Sequence, residues 1–230
     1  REYRGIPVAK ETATFKEEYF RYYSESDEEF TKNRGKLETI VIIDPAKSTN
    51  VANDDSAIVG VGVNTEIPRV YIRDVVAGKM HPEEIYAAAF DMADRLGART
   101  IGYEVTSLNE FITYPITTYM LQRGKFYSLV ELKARGKKED RIAMLSPLYR
   151  LGYIYHNKNV SAILESQLLS FPKAKRDDVS DATAYLVEML ELGERYFAPD
   201  ASTSGEKPSE DEFADLEKEY EPAMTGWRTI

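Results

Sequence analysis

Carboxylates dominate the side chains here that could do chemistry. Asp44 closes the apolar run "LETIVIID", Glu104 closes "TIGYE", and "KAKRDDVSDATAYLVEML" sets Asp177, Asp178 and Asp181 at the opening of an apolar helix. Each has an ordinary explanation. Asp44 suits a strand-to-turn transition, Glu104 a solvated strand end, and acids in a first helical turn gain about 0.3 to 1 kcal/mol each from the helix dipole. Position argues for more. A carboxylate leaving a buried strand is costly unless a positive group meets it, and glutamate is depleted in strands. Projected at about 100° per residue, Val179, Ala182, Leu186, Met189 and Leu190 form a packed face. Asp178 and Asp181 fall on or beside it, whereas Asp177 turns away. Two acids at that spacing repel and lose hydration, and a bound cation removes both penalties. Asp178 and Asp181 therefore read as a metal wall and Asp177 as the helix cap.

Other chemistries find little support. With no cysteine there is no disulfide, zinc-thiolate site or cysteine nucleophile. The two histidines, His81 and His156, are far apart; His81 reads as a helix cap and His156 as a strand-end residue. There is no phosphate-binding glycine loop, dinucleotide fingerprint or nucleophile elbow. Hard oxygen ligands suit Mg²⁺ or Mn²⁺. A basic set in "KARGKKEDR", comprising Lys133, Arg135, Lys137, Lys138 and Arg141, joined by Lys173, Lys175 and Arg176, is either a solvated surface or a contact for nucleic-acid phosphates.

The elements that must position these groups follow from patterning. "LETIVIID", "SAIVGVGV" and "RVYIRDVVAG" are strand-length runs with short connections, hence an antiparallel meander. "HPEEIYAAAFDMADRLG" has proline and glutamates at its start and glycine at its end, as a helix does. Strands are expected in "RTIGYEV", "FYSLVELKA" and "YIYH". Helices are expected around Glu110 to Arg123 and in "EDRIAMLSPLYRLG", "SAILESQLLSF" and "DDVSDATAYLVEMLELGERYF". Three strands followed by alternating helices and strands imply an α/β fold with a mixed sheet.

At 230 residues, one main core is expected. No apolar run approaches the roughly 18 residues of a membrane span, and no signal-peptide pattern is present. The net charge of −9 is uneven: Arg1 to Lys36 is neutral, Leu37 to Ala198 carries −3, and Pro199 to Ile230 carries −6. The near-neutral middle neither favours nor opposes a nucleic-acid partner. The first 36 residues read as a short helix and a linker outside the core, residues 37–198 as the core domain, and residues 199–230 as an acidic, flexible tail. The chain opens on Arg1 and reads as part of a longer protein.

In this order, the segments "IDPAKSTNVANDDSAIVGVGV", "IGYEVTSLNEFI", "KKEDRIAMLSPLYRLGYIYHN" and "LESQLLSFPKAKRDDVSDATAYLV" resemble the nuclease domain of a tailed-phage terminase large subunit, within the ribonuclease H-like, RuvC-like superfamily. The resemblance spans about Leu37 to Phe197. It implies three antiparallel strands followed by parallel ones, flanked by helices, and an endonuclease that cuts concatemeric double-stranded viral DNA during genome packaging. It also implies two divalent ions, Mg²⁺ or Mn²⁺, roughly 3.5 to 4 Å apart. Asp44 would bridge both, Glu104 would hold the one on the leaving-group side, and Asp178 or Asp181 the one that activates water. Lys133, Lys137, Lys138 and Arg141 would guide the DNA. The first 36 residues would be the end of an ATPase domain, the portal and small terminase subunit further partners, and the host cytoplasm the location. Many members have histidine before the paired aspartates, where this chain has Arg176. A RuvC-type junction resolvase is the rival enzyme, and a non-catalytic DNA-binding or docking module of the packaging motor the rival of another class.

Overall fold

The computed structural model describes residues 13–45, 55–64, 66–105, 110–134 and 136–191. Its centre is the expected meander. Strands β2 (Leu37–Asp44), β3 (Ser56–Asn64) and β4 (Arg69–Gly78) pair antiparallel in turn, with Asp44 opposite Ala57 and Ser56 opposite Gly78. Parallel neighbours need long crossovers, usually helical. Helix α2 (Pro82–Leu96) returns the chain so that β5 (Thr100–Glu104) runs parallel to β2; α3 (Glu110–Arg123) then precedes β6 (Ser128–Leu132), parallel to β5. On the other side β7 (Ile154–Asn157) runs parallel to β4, and β1 (Arg21–Tyr23) parallel to β7. The sheet order is β1-β7-β4-β3-β2-β5-β6, a mixed α/β sheet as the sequence implied.

Side chains alternate across the sheet. Ile40 and Ile42 join Val59 and Val61 in a core that includes Val179, Ala182, Leu186 and Met189 of α7 (Asp178–Glu191). Val41 and Ile43 face the opposite way, with Ile58, Ile101 and Tyr103 against Ile85, Phe90 and Ala93 of α2. Both faces are covered, which is why the strands read as nearly unbroken apolar runs. Helix α2 ends at Gly97, whose φ of 72° is the left-handed cap conformation glycine favours. At its start the His81 backbone N–H donates to the Glu84 carboxylate at 2.7 Å.

Two expectations change. The single helix expected over "EDRIAMLSPLYRLG" is two, α4 (Lys138–Ala143) and α5 (Ser146–Arg150). Pro147 has no N–H to donate to the Ala143 carbonyl four residues back and its ring crowds that carbonyl, so α4 ends at Ala143 and the chain restarts with Pro147 in the first turn of α5, where a missing N–H costs nothing. Secondly, the segment read as a linker outside the core supplies core residues. Phe15, Phe20, Tyr23 of β1 and Phe30 of α1 (Glu28–Asn33) are buried, and Phe15 and Phe20 each meet the Tyr149 ring edge-on at 5.6 Å. Mixed charge and aromatics along this segment hid it, because β1 has only three residues. Residues 1–12 and the acidic tail from Pro199 lie outside the described residues. Among the described residues no helix is long and apolar enough to cross a membrane.

Candidate active site

Alternation along two neighbouring parallel strands places the first two carboxylates. Ile40 and Ile42 face α7 on β2, so Asp44 does too; Ile101 and Tyr103 face α2 on β5, so Glu104 turns to α7. Ile43 is in register with Tyr103, which makes Asp44 and Glu104 the next step, side by side at the carboxyl ends of their strands. Both are buried, at 6% and 2% exposure. Gly102, on the same face of β5 as Glu104, makes room for Leu132 of β6: a Cβ there would stand 2.8 Å from Leu132 Cδ1, while Met189 Sδ of α7, at 3.6 Å, would be at ordinary contact distance. Helix α7 then brings Asp181, 1% exposed, over the pair.

The electrostatics show that the three groups share one environment. Burial lifts the Asp44 carboxyl well above the ordinary range, and its hydrogen bond to Glu104 and the charges of Glu104 and Asp181 push the same way; Lys138 opposes them. Burial also raises Asp181, against the pull of Lys138 and Arg141. These two cations sit three residues apart on α4 and so share a face. Lys138 Nζ lies 2.8 Å from Asp177, 3.5 Å from Asp178 and 3.5 Å from Asp181. Arg141 forks onto Asp181, with Nη2 at 2.7 and 2.8 Å from its two oxygens and Nε at 3.1 Å from one of them. Although burial alone lowers it, the Lys138 ammonium is held above its usual value by Asp177, Asp181 and Asp44.

In donor chemistry Asp44, Glu104 and Asp181 fit a hard divalent cation: they are oxygen ligands gathered in a buried setting. Among the described residues, however, no three acidic or histidine side chains form a ready-made metal cage. Arg141 and Lys138 instead occupy the Asp181 oxygens.

The fold is similar to those of solved viral proteins. The human cytomegalovirus terminase nuclease domain, manganese-soaked and inhibitor-bound, superposes with a TM-score of 0.56 at 9% identity, over 77% of this chain and 95% of that one. The P22 large terminase nuclease domain gives 0.55 at 14% identity, over 77% and 90%. A mutant nuclease domain of the large terminase subunit of bacterial virus Sf6, with manganese and beta-thujaplicinol, gives 0.51 at 13%, over 75% and 96%. This chain has the terminase-nuclease fold. No protein-family profile matches the sequence, and no curated protein matches it.

On this terminase-nuclease fold the residues expected from sequence divide. Asp44, Glu104 and Asp181 come together. Asp178 is set apart: it touches Lys138 but lines a cavity of about 330 Å³ with Asp55, Gln167, Lys175 and Arg176. Asp177 caps α7 through its backbone carbonyl, which accepts from the Asp181 N–H at 2.8 Å. The side-chain acceptor at this helix start is Gln167 of α6 (Ala162–Ser170), whose Oε1 takes the Ser180 N–H at 2.9 Å, while the Asp177 carboxylate goes to Lys138. The basic set splits as well, because Lys133 and Lys137 are exposed whereas Lys138 and Arg141 belong to the acidic centre. Arg135 lies outside the described residues. Sequence reasoning missed Tyr185, one turn after Asp181, buried beneath Arg141 with the guanidinium 5.2 Å from its ring. The i, i+4 spacing from Asp181 was its signal. It also missed Asp55, whose carboxylate pairs with Arg176 just ahead of β3.

Proposed function

We propose that this chain is a divalent-metal-dependent endonuclease that cuts concatemeric double-stranded viral DNA during genome packaging. The observation that carries the reading is the buried Asp44 and Glu104 pair at adjacent parallel strand ends, with Asp181 laid over it, on a terminase-nuclease fold. Asp44, Glu104 and Asp181 would hold the ions, with Asp178 contributing from the rim of the neighbouring cavity; two ions, Mg²⁺ or Mn²⁺, suit that many carboxylates. When bound, such ions lower the pKa of an attacking water and neutralise charge on the phosphate oxygens. Glu104 and Asp44 hold fixed positions because both sit on paired strands, and the surrounding apolar core limits water. Lys133 and Lys137, both exposed, would meet the DNA backbone without reading its sequence. The ATPase domain of the same protein, the portal and the small terminase subunit are the proposed partners, in the host cytoplasm.

Supercoiled plasmid incubated with the chain and Mn²⁺ should be nicked and linearised, and Asp44→Asn should abolish this while leaving a cooperative melt. An equally active Asp44→Asn variant sinks the assignment. Preference for four-way junctions over linear duplex would identify a resolvase instead. One observation favours a second reading, a non-catalytic docking module: Arg141 and Lys138 already neutralise Asp181. Absence of both Mn²⁺ binding and nicking would select it.

A further inference from the structure

The acidic centre contains a cation of its own. Lys138 reaches three aspartates at once, Asp177 at 2.8 Å and Asp178 and Asp181 at 3.5 Å each, from the first residue of α4. Its side chain is only 29% exposed, so this is not a solvated surface pair. Arg141 is different in kind. Its planar fork takes both oxygens of a single aspartate and stacks on Tyr185, a geometry that fixes a carboxylate in place. Lys138 makes no such fork; it is a point charge on a flexible stem, shared among several acids and able to swing away.

We propose that Lys138 is a tethered counter-ion that stands in for a divalent cation and must leave before one can bind. The inference rests on the metal-dependent reading of the same carboxylates. Lys138 thereby sets the metal concentration at which the centre loads, and Arg141 keeps Asp181 oriented during the exchange. Lys138 acts through the aspartates and is a positioning residue. One ammonium and one divalent ion compete for the same oxygens, and like charges at such range repel strongly in a partly buried site. Removing the ammonium therefore raises metal affinity, whereas loss of a merely structural ion pair would loosen the aspartates and lower it.

The test uses the 230-residue chain, with Mn²⁺ affinity measured by titration calorimetry and by the electron paramagnetic resonance signal of free Mn²⁺, at one pH. Lys138→Met should bind Mn²⁺ at least about tenfold more tightly than the wild type, equivalent to about 1.4 kcal/mol. Lys138→Arg, which keeps the charge, should not. In EDTA, Lys138→Met should melt below the wild type, and saturating Mn²⁺ should raise its melting temperature by more than it raises that of the wild type. If Lys138→Met folds and binds no more tightly than a wild type that itself binds Mn²⁺, the counter-ion proposal is overturned and the metal reading stands. If neither binds Mn²⁺, both fall. Should Lys138→Met fail to fold, Lys138→Gln supplies the same comparison.

Discussion

Replacing Asp44 by asparagine should stabilise the metal-free protein, and increasingly so as pH rises. The carboxyl is 6% exposed and faces Glu104 and Asp181, with Lys138 the opposing charge. As a scale, two like charges at about 4 to 6 Å repel by roughly 3 to 4 kcal/mol at an effective dielectric near 20. Lys138 offsets part of such repulsion, and on the order of 1 to 2 kcal/mol is the usual gain when one strained functional group is neutralised. For a domain of this size each kcal/mol moves the melting temperature by about 2 to 4 °C, so the variant should melt about 2 to 8 °C higher in EDTA at pH 7.5. The sign with pH follows from the raised carboxyl. The folded chain keeps the Asp44 proton to higher pH than the unfolded chain does, so this contribution is complete below the ordinary aspartate range and is lost as pH rises through the folded value. Asparagine behaves like the protonated form throughout. The gap between variant and wild type should therefore be small in acid and widen toward neutrality. A gap that stays constant with pH, or a variant that melts lower, would refute the account of Asp44 as a carboxylate forced among its own kind.

Other outcomes follow from particular contacts. Arg141→Met leaves the buried Asp181 without its fork and should cost about 3 kcal/mol in urea unfolding, the low end for a broken buried pair because Lys138 remains; a loss under 1 kcal/mol would show that Arg141 does not hold Asp181. Phe20→Ala should cost about 3 kcal/mol by the same measurement, since its ring packs on Tyr149 and His156; a neutral result would return this segment to the status of a linker. His156 is buried between Tyr149 and Glu165, each at 2.8 Å, and burial lowers its pKa although Glu165 pulls the other way. Its unfolded form takes up a proton that the folded form refuses, so stability should fall as pH drops below about 6.5. His156→Gln should flatten that limb of the pH profile of the melting temperature.

The meander, the crossovers and the α/β class were legible because the three meander strands are runs rich in β-branched residues and α2 carries proline and acids at its start and glycine at its end. Helix α7 was legible through its packed face, and so was the burial of Asp181. Less visible was anything set by one residue acting across the sheet. The three-residue strand β1 has no period to detect, and its place depends on Phe15 and Phe20 finding Tyr149. The break at Pro147 was visible in the sequence but lost inside an otherwise helical run. The roles of Lys138 and Arg141 were hidden because a basic cluster reads alike whether it faces solvent or an acidic centre. Only the packing of α4 against α7 separates these two from Lys133 and Lys137.

That packing also separates the two aspartates the helical projection grouped together. Three residues apart on a helix is near enough to share a face but leaves a difference of about 60° in direction, and at the rim of a sheet that difference decides the neighbours. Asp181 turns inward over Asp44 and Glu104, where its charge is costly and is met by a fork that fixes both oxygens. Asp178 turns along the rim toward Asp55 and Arg176, where a cavity leaves room for solvent. Asp181 is therefore held in one orientation, while Asp178 can reorient at little cost. In a centre that must admit a cation and then a substrate, a fixed acid defines the position and a movable one adapts to what arrives. Asp181→Asn should accordingly remove more Mn²⁺ affinity than Asp178→Asn in calorimetric titration. The reverse order would mean that the rim acid is the principal ligand and that the fork on Asp181 serves the fold alone.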